Sequence, residues 1–218
     1  MTILDFARGP GFYIAMTLMI IGIVWRVAGA VLLARPADLA KPKGGNRFVA
    51  GLRAVAWRSL PPHDLEKKIT FQHFTGYAWH LGWFATFLLF GPHIPLLQSV
   101  LGFGWPGLPN QAIVVLAAIT LGILVVLFVR RIVHPVLKVI SDGDDYISSL
   151  LTMAPIFTGL VAYAHLFPVQ HETVIGLHIL SVELLMIWLP FGKIIHCVTG
   201  LPVRFQIGAT MARRGVKA

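Results

Sequence analysis

The chain has 218 residues, of which 56% are hydrophobic and only 12% charged, a balance that excludes an ordinary soluble domain and points to a membrane protein. Its formal charge of +9 would suit a nucleic-acid binder, but the placement of that charge along the chain speaks for membrane topology instead. A single cysteine, Cys197, excludes an internal disulfide framework, a zinc ribbon and a Cys-rich iron–sulfur cluster, so any such cluster must belong to another subunit.

Apolar runs recur at 11–34, 71–92, 111–130, 146–166 and 174–198. At about 1.5 Å per residue each is long enough to cross a hydrocarbon core of about 30 Å. The runs are continuous and are separated by Gly/Pro-rich or charged connections, so they predict an all-α bundle of five transmembrane helices rather than a closed barrel. The stretch before the first run, "MTILDFARGP", has no basic n-region, and that run is expected to remain as an anchor. No repeat or low-complexity tract divides the chain, which reads as one membrane domain over 1–218.

Between the first two runs lie Arg35, Lys41, Lys43, Arg47, Arg53, Arg58, Lys67 and Lys68. Arg130, Arg131 and Lys138 follow the third run, and Arg204, Arg213, Arg214 and Lys217 close the chain. With five alternating helices all of these fall on one side. The connections on the other side, Ile94 to Asn110 and His165 to Thr173, hold no Lys or Arg, and the N-terminus has only Arg8. Positive residues stay inside, so the N-terminus is expected outside and the C-terminus in the cytoplasm of a bacterial inner membrane, with attraction to anionic lipid a secondary effect. Within the basic segment 35–70, "NRFVAGLRAVAWRSL" places Phe48, Leu52 and Val55 at helical spacing, as an interfacial amphipathic helix or a partner-docking helix would. Further on, "SDGDDYISSLL" puts carboxylates at the start of the fourth helix, where they cap its positive end.

The chain has nine histidines. His63, His134, His165 and His171 fall in connections and read as ordinary polar residues, whereas His73, His80, His93, His178 and His196 belong to only the second and fifth helices. An ionisable side chain within a bilayer is costly unless it faces a partner, so these five are functional candidates. His178 and His196 are eighteen residues apart, which on a continuous helix is five turns, one face and about 27 Å of rise. On the second helix, in "WHLGWFATFLLFGPHIP", His80 and His93 are about 20 Å apart along an ideal axis, and the Gly91–Pro92 break would correct their different facing. The two helices run in opposite directions, so His80 should meet His196 on the cytoplasmic side and His93 should meet His178 on the outer side.

No Cys or carboxylate lies beside each pair to complete the four ligands of zinc, Cys197 standing next to His196 alone. Haem iron needs only two axial imidazoles, and the chain has no Cys-x-x-Cys-His motif for covalent attachment, so two bis-histidine b-type haems are the economical reading. A one-haem protein, with His93 only lining the outer surface, stays open. His73 shares a face with His80 but would set two haems too close if both were used. Gly82 and Gly176 are candidates to leave room for a porphyrin, and Arg26 and Lys193, toward the cytoplasmic helix ends, to pair with its propionates or to snorkel to the headgroups. Glu183 is an intramembrane carboxylate that either takes up a quinol proton or pairs with a neighbouring hydroxyl. Pro190 is expected to bend the fifth helix, and Cys197 to be a small core residue.

"IGIVWR", "HLG", "GDDYISSLL" and above all "LHILSVELLMIWLPFGKIIHCVTGLPVRF" resemble, in helix order, the gamma subunit of respiratory nitrate reductases and related membrane cytochromes b. The resemblance implies that His178 serves the outer haem and that His196 and His80 serve the cytoplasmic one. It also implies quinol oxidation near the outer haem and electron delivery to a cytoplasmic iron–sulfur subunit. The spacing of His80 and His93 is wider than in that family, and Glu183 is not part of its pattern. The sequence therefore leads to an electron-transfer subunit that oxidises quinol or reduces quinone. The rivals are a cytochrome b of sulfur metabolism or heterodisulfide-type electron transfer, and a non-redox transporter or assembly protein whose histidines are structural.

Overall fold

A computed structural model describes residues 1–33, 39, 41–60, 66–166 and 168–216, and in these it is helical throughout apart from turns and one isolated bridge between Phe90 and Leu108. His63, Arg35 and Lys217 lie outside the described residues. A short α1 (Ile3–Phe6), capped by Thr2, continues through a π-turn at Ala7–Gly11 into α2 (Phe12–Leu32). The widened turn holds Pro10, which has no N–H to give to the helical ladder, and Gly9, whose φ of −112° and ψ of −106° are not helical.

The other long helices are α4 (Glu66–Leu89), α6 (Asn110–Val133), α8 (Gly143–Ala164) and α9 (His171–Trp188). Shorter ones are α3 (Arg47–Trp57), α5 (Ile94–Leu101), α7 (Pro135–Ile140) and the C-terminal α10 (His196–Arg213). Among the described residues four stretches are long and apolar enough to cross a membrane: Ile3–Leu32, Asn110–Val133, Gly143–Ala164 and His171–Trp188. Where the second span is expected the chain forms α4, a helix of 24 residues that is not among these four: Gln72, His73, His80 and its glycines and tryptophans leave it less apolar than they are.

The expected fifth helix, 174–198, is divided. α9 ends at Trp188, the chain turns through Leu189–Gly192, and a 3₁₀ turn over Lys193–Ile195 leads into α10. Pro190 alone would only bend a helix; here Gly192 is extended and its next residue is captured from another helix, because the Lys193 N–H donates to Asp144 Oδ2 at 2.8 Å. The five-turn register between His178 and His196 is therefore not how these two residues are placed.

Helices in lipid gain little from apolar burial against one another, so close approach at small residues holds the bundle. α4 meets α6 at Gly82, where an added Cβ would lie 2.0 Å from Thr120 Oγ1. Thr120 itself is 1% exposed and donates its hydroxyl to the Leu116 carbonyl. Ala117, Leu124, Met153 and Ile156 form the core between α6 and α8, with Trp79 and Trp83 of α4 against it. The amphipathic segment forms α3 as expected, capped by Asn46, and it packs on α10 through Gly51 and Ala54 against Phe205 and Gly208. Phe48 and Leu52 of its apolar set remain more than half exposed. α8 starts as expected, with Asp142 as cap and Asp145 reaching back to it.

Candidate functional site

The break in α4 aims the second imidazole. Phe90 is extended, Gly91–His93 forms a 3₁₀ turn, and His93 thereby leaves the helix axis to face α9. His93 and His178 come together with ring centroids 6.1 Å apart and planes only 9° from parallel. At the other end of α4, His80 meets His196, which opens α10, at 5.9 Å with planes crossed by 77°. His73 joins neither pair; its ring packs edge-on against Tyr77.

All four rings are tethered through the same nitrogen. His80 Nδ1 is 2.6 Å from the Gly76 carbonyl, His93 Nδ1 is 3.1 Å from that of Phe87, and His196 Nδ1 is 2.7 Å from that of Lys193. A carbonyl only accepts, so in each of these Nδ1 carries the hydrogen and the neutral ring keeps its lone pair on Nε2. His178 Nδ1 is 3.1 Å from the Thr158 hydroxyl, and with Thr158 donating to the Ala154 carbonyl at 2.7 Å that oxygen is free to accept from the ring in the same Nδ1–H form. Four Nε2 lone pairs are thus set for coordination, each oriented by the kind of outer hydrogen bond that metal-ligating histidines make.

Ring centroids near 6 Å leave room for one metal between the two imidazoles of a pair, at bonds of about 2.0–2.1 Å. Among the described residues no group of three His, Cys, Asp or Glu is placed to hold an ion, so neither pair is completed into a zinc-type site. The donor set of each pair fits a haem, whose macrocycle supplies the other four ligands.

The remaining candidates are placed elsewhere. Arg26 donates through Nε to the Pro190 carbonyl at 3.0 Å, which satisfies an acceptor at the end of α9. Lys193 is held by Asp142 at 2.9 Å and Asp145 at 2.7 Å, not turned toward the His80–His196 pair. The hydrogen bonds Lys193 donates to Asp145 first and Asp142 second hold its amino group above the ordinary lysine range, and the same donation holds the Asp142 carboxyl low. Gly82 faces Thr120, and Gly176 faces Ile3 and Leu4, so both serve helix contacts. The glycine beside an imidazole is Gly159 of α8, where a Cβ would lie 3.1 Å from His178 Cε1. Cys197 is exposed rather than in a core. His134 caps α7, and the rings of His165 and His171 lie 4.5 Å apart at the α8–α9 connection. The sequence shows Gly159 and Thr158 only as ordinary residues of a helix; their role depends on α8 packing beside α9.

Glu183 is 4% exposed, and no hydrogen-bond partner, hydroxyl or other, reaches its Oε1. Ser181, the nearest hydroxyl in sequence, donates to the His178 carbonyl instead.

A protein of Nitratidesulfovibrio vulgaris described only as "Protein" is 29% identical to this chain over 140 residues, which are 64% of this chain and 61% of the relative. The chain thus spans less than two thirds of that relative's length. No protein-family model and no solved structure matches it.

Proposed function

We propose that this chain is a five-helix cytochrome b subunit of a respiratory oxidoreductase, holding two b-type haems between α4 and the α9–α10 segment and exchanging electrons between the quinol/quinone pool and a cytoplasmic iron–sulfur partner. The observation that carries the reading is the meeting of four imidazoles as two pairs at 5.9 and 6.1 Å, each ring tethered through Nδ1. In this reading α4 is the fifth span: its 24 residues cover about 36 Å, and its His80 meets His196 while His73 packs on Tyr77 of the same helix. The basic connections support an N-terminus outside and a C-terminus in the cytoplasm of a bacterial inner membrane.

His93 and His178 would hold the outer haem, and His80 and His196 the cytoplasmic one. Bound there, haem supplies one-electron redox chemistry at a potential set by its surroundings. The protein's part is to fix the rings. Gly76, Phe87, Thr158 and Lys193 lock each imidazole in the Nδ1–H form, and Arg26 and the Lys193–Asp142–Asp145 cluster steady the segment that delivers His196. Electron flow is compatible with either direction, from quinol inward or from partner to quinone.

The test is a reduced-minus-oxidised spectrum of the purified full chain with haem quantification by pyridine haemochrome. Two haems b per chain are expected. His93→Ala and His178→Ala should remove the same haem, and the double variant no more than either single one, with His80→Ala and His196→Ala behaving likewise for the other haem. A colourless wild-type protein would end the reading and favour a transporter or assembly protein.

A further inference from the structure

Glu183 lies on α9 five residues beyond His178, about 7.5 Å further along the helix axis. A carboxyl at that depth, almost wholly buried and with Oε1 unpartnered, is the kind of group a membrane protein keeps for a purpose. What it faces is unusual as well. A Cβ placed on Gly11 would lie 2.7 Å from Glu183 Oε2, so the carboxyl abuts the end of the π-turn, where Pro10 and the non-helical Gly9 interrupt the regular ladder. Irregular backbone at membrane depth is tolerated where it is enclosed by protein or lines a polar path, and π-turns recur at functional positions.

The charged and titratable groups on the elements around Glu183 are otherwise engaged or distant. On α1, Asp5 caps with Thr2; on the π-turn, Arg8 is exposed; on α2, Arg26 binds the Pro190 carbonyl. On α8, Asp144 accepts from Ser148, Trp188 and Lys193, Asp145 pairs with Arg131 and Lys193, and Tyr146 and Tyr163 pack on Phe128 and Phe90. On α9 itself His171 and Glu172 are exposed and His178 is bound to Thr158. Among the described residues no ion pair reaches Glu183. With a single carboxyl and no further oxygen ligand, the site suits a proton rather than a metal cation.

We propose that Glu183 is an exchangeable proton site, reached along the π-turn of the first helix and coupled to the His93–His178 centre. The coupling, though not the proton site, rests on the haem reading above. If the outer centre takes one electron from a quinol, the quinol loses the matching proton from its own O–H to the outer aqueous phase, and Glu183 takes one proton from that phase to form its carboxyl O–H; this proton leaves when the electron does, so the buried charge stays constant.

Electrochemical infrared difference spectroscopy of the full chain tests this. The reduced-minus-oxidised spectrum should contain the C=O band of one protonated carboxyl, lowered in D₂O, absent in Glu183→Gln and displaced in Glu183→Asp. Gly11→Ala, which presses on Oε2, should shift the same band while keeping both haems. Unchanged haem content in Glu183→Gln certifies its fold, and if that variant loses haem, Gly11→Ala decides. Persistence of the band in Glu183→Gln, or its absence from the wild type, overturns the coupling. An infrared pH titration without any redox step tests the proton site alone: one carboxyl titration must vanish in Glu183→Gln, and if the two titrations coincide the site is refuted even in a haem-free chain.

Discussion

If the two imidazole pairs hold haem as proposed, replacing Asp144 by alanine should weaken the cytoplasmic site while sparing the outer one. Three donors converge on this carboxylate: Ser148 Oγ at 2.6 Å and Trp188 Nε1 at 3.2 Å on Oδ1, and the Lys193 N–H at 2.8 Å on Oδ2. Together they fasten α8 to the last residue of α9 and to the first residue of the turn that delivers His196. A hydrogen bond to a charged group contributes about 1.5–3 kcal/mol. Bonds that share one acceptor are lost non-additively, so the combined loss is about 2–4 kcal/mol rather than a threefold sum. If about 2 kcal/mol of this falls on the position of His196, the cytoplasmic site holds its haem roughly 30-fold less tightly, since 1.4 kcal/mol is a factor of ten. His93 and His178 share no partner with Asp144 and should keep theirs. Asp144→Asn, which retains one acceptor oxygen, should fall between the variant and the wild type. The assay is haem content after detergent washing, with reduced spectra taken at graded potentials to tell the two haems apart. Equal loss of both haems, or full retention of both in Asp144→Ala, would refute the idea that this clasp places His196.

Two further outcomes are expected. Gly82→Ala forces a methyl group against the buried Thr120 hydroxyl and should cost about 1–3 kcal/mol by overpacking, read as a lower melting temperature; Thr120→Ala in the same chain should restore part of it. The Lys193 cluster predicts a stability difference between wild type and Lys193→Gln that depends on pH. Lys193 has a raised pKa, so its contribution is complete below the usual lysine value of 10.5 and lost as pH rises through the raised one. Asp142 has a lowered pKa, so its contribution is complete above the usual 3.8 and lost as pH falls through the lowered one. The difference in melting temperature should therefore be constant from about pH 5 to 9 and shrink beyond both limits, and a difference that grew toward acid would contradict the cluster.

Much of the arrangement could be read from residue order, because it depends on local chemistry. The carboxylates of "SDGDDYISSLL" sit where a helix start needs them, and Asn46 begins a helix whose spacing was amphipathic in one dimension. Gly91–Pro92 announces a break, and the break is what lets His93 face His178. The pairing of His80 with His196 was also legible, but through an incorrect premise. Eighteen residues are five turns only if the helix is unbroken, and the interruption at Leu189–Ile195 depends on Asp144, which is 49 residues from Lys193 in sequence and shows no local signature of that contact. The same distance hid the fate of Lys193 itself, whose ammonium is bound by acidic residues of α8. Gly82 and Gly176 illustrate a different limit: a missing side chain is visible in a sequence, but which neighbour uses the space is not.

Because His196 begins a new helix and does not end the previous one, the two imidazole pairs belong to different mechanical bodies. His178 is carried by the bundle of α8 and α9, while His196 is carried by α10, whose long contact is with α3 on the basic side of the chain. A displacement of the packed α3–α10 pair is therefore felt first at His196, and it reaches His178 only through residues 189–195, which Asp144 and Arg26 hold to the neighbouring helices.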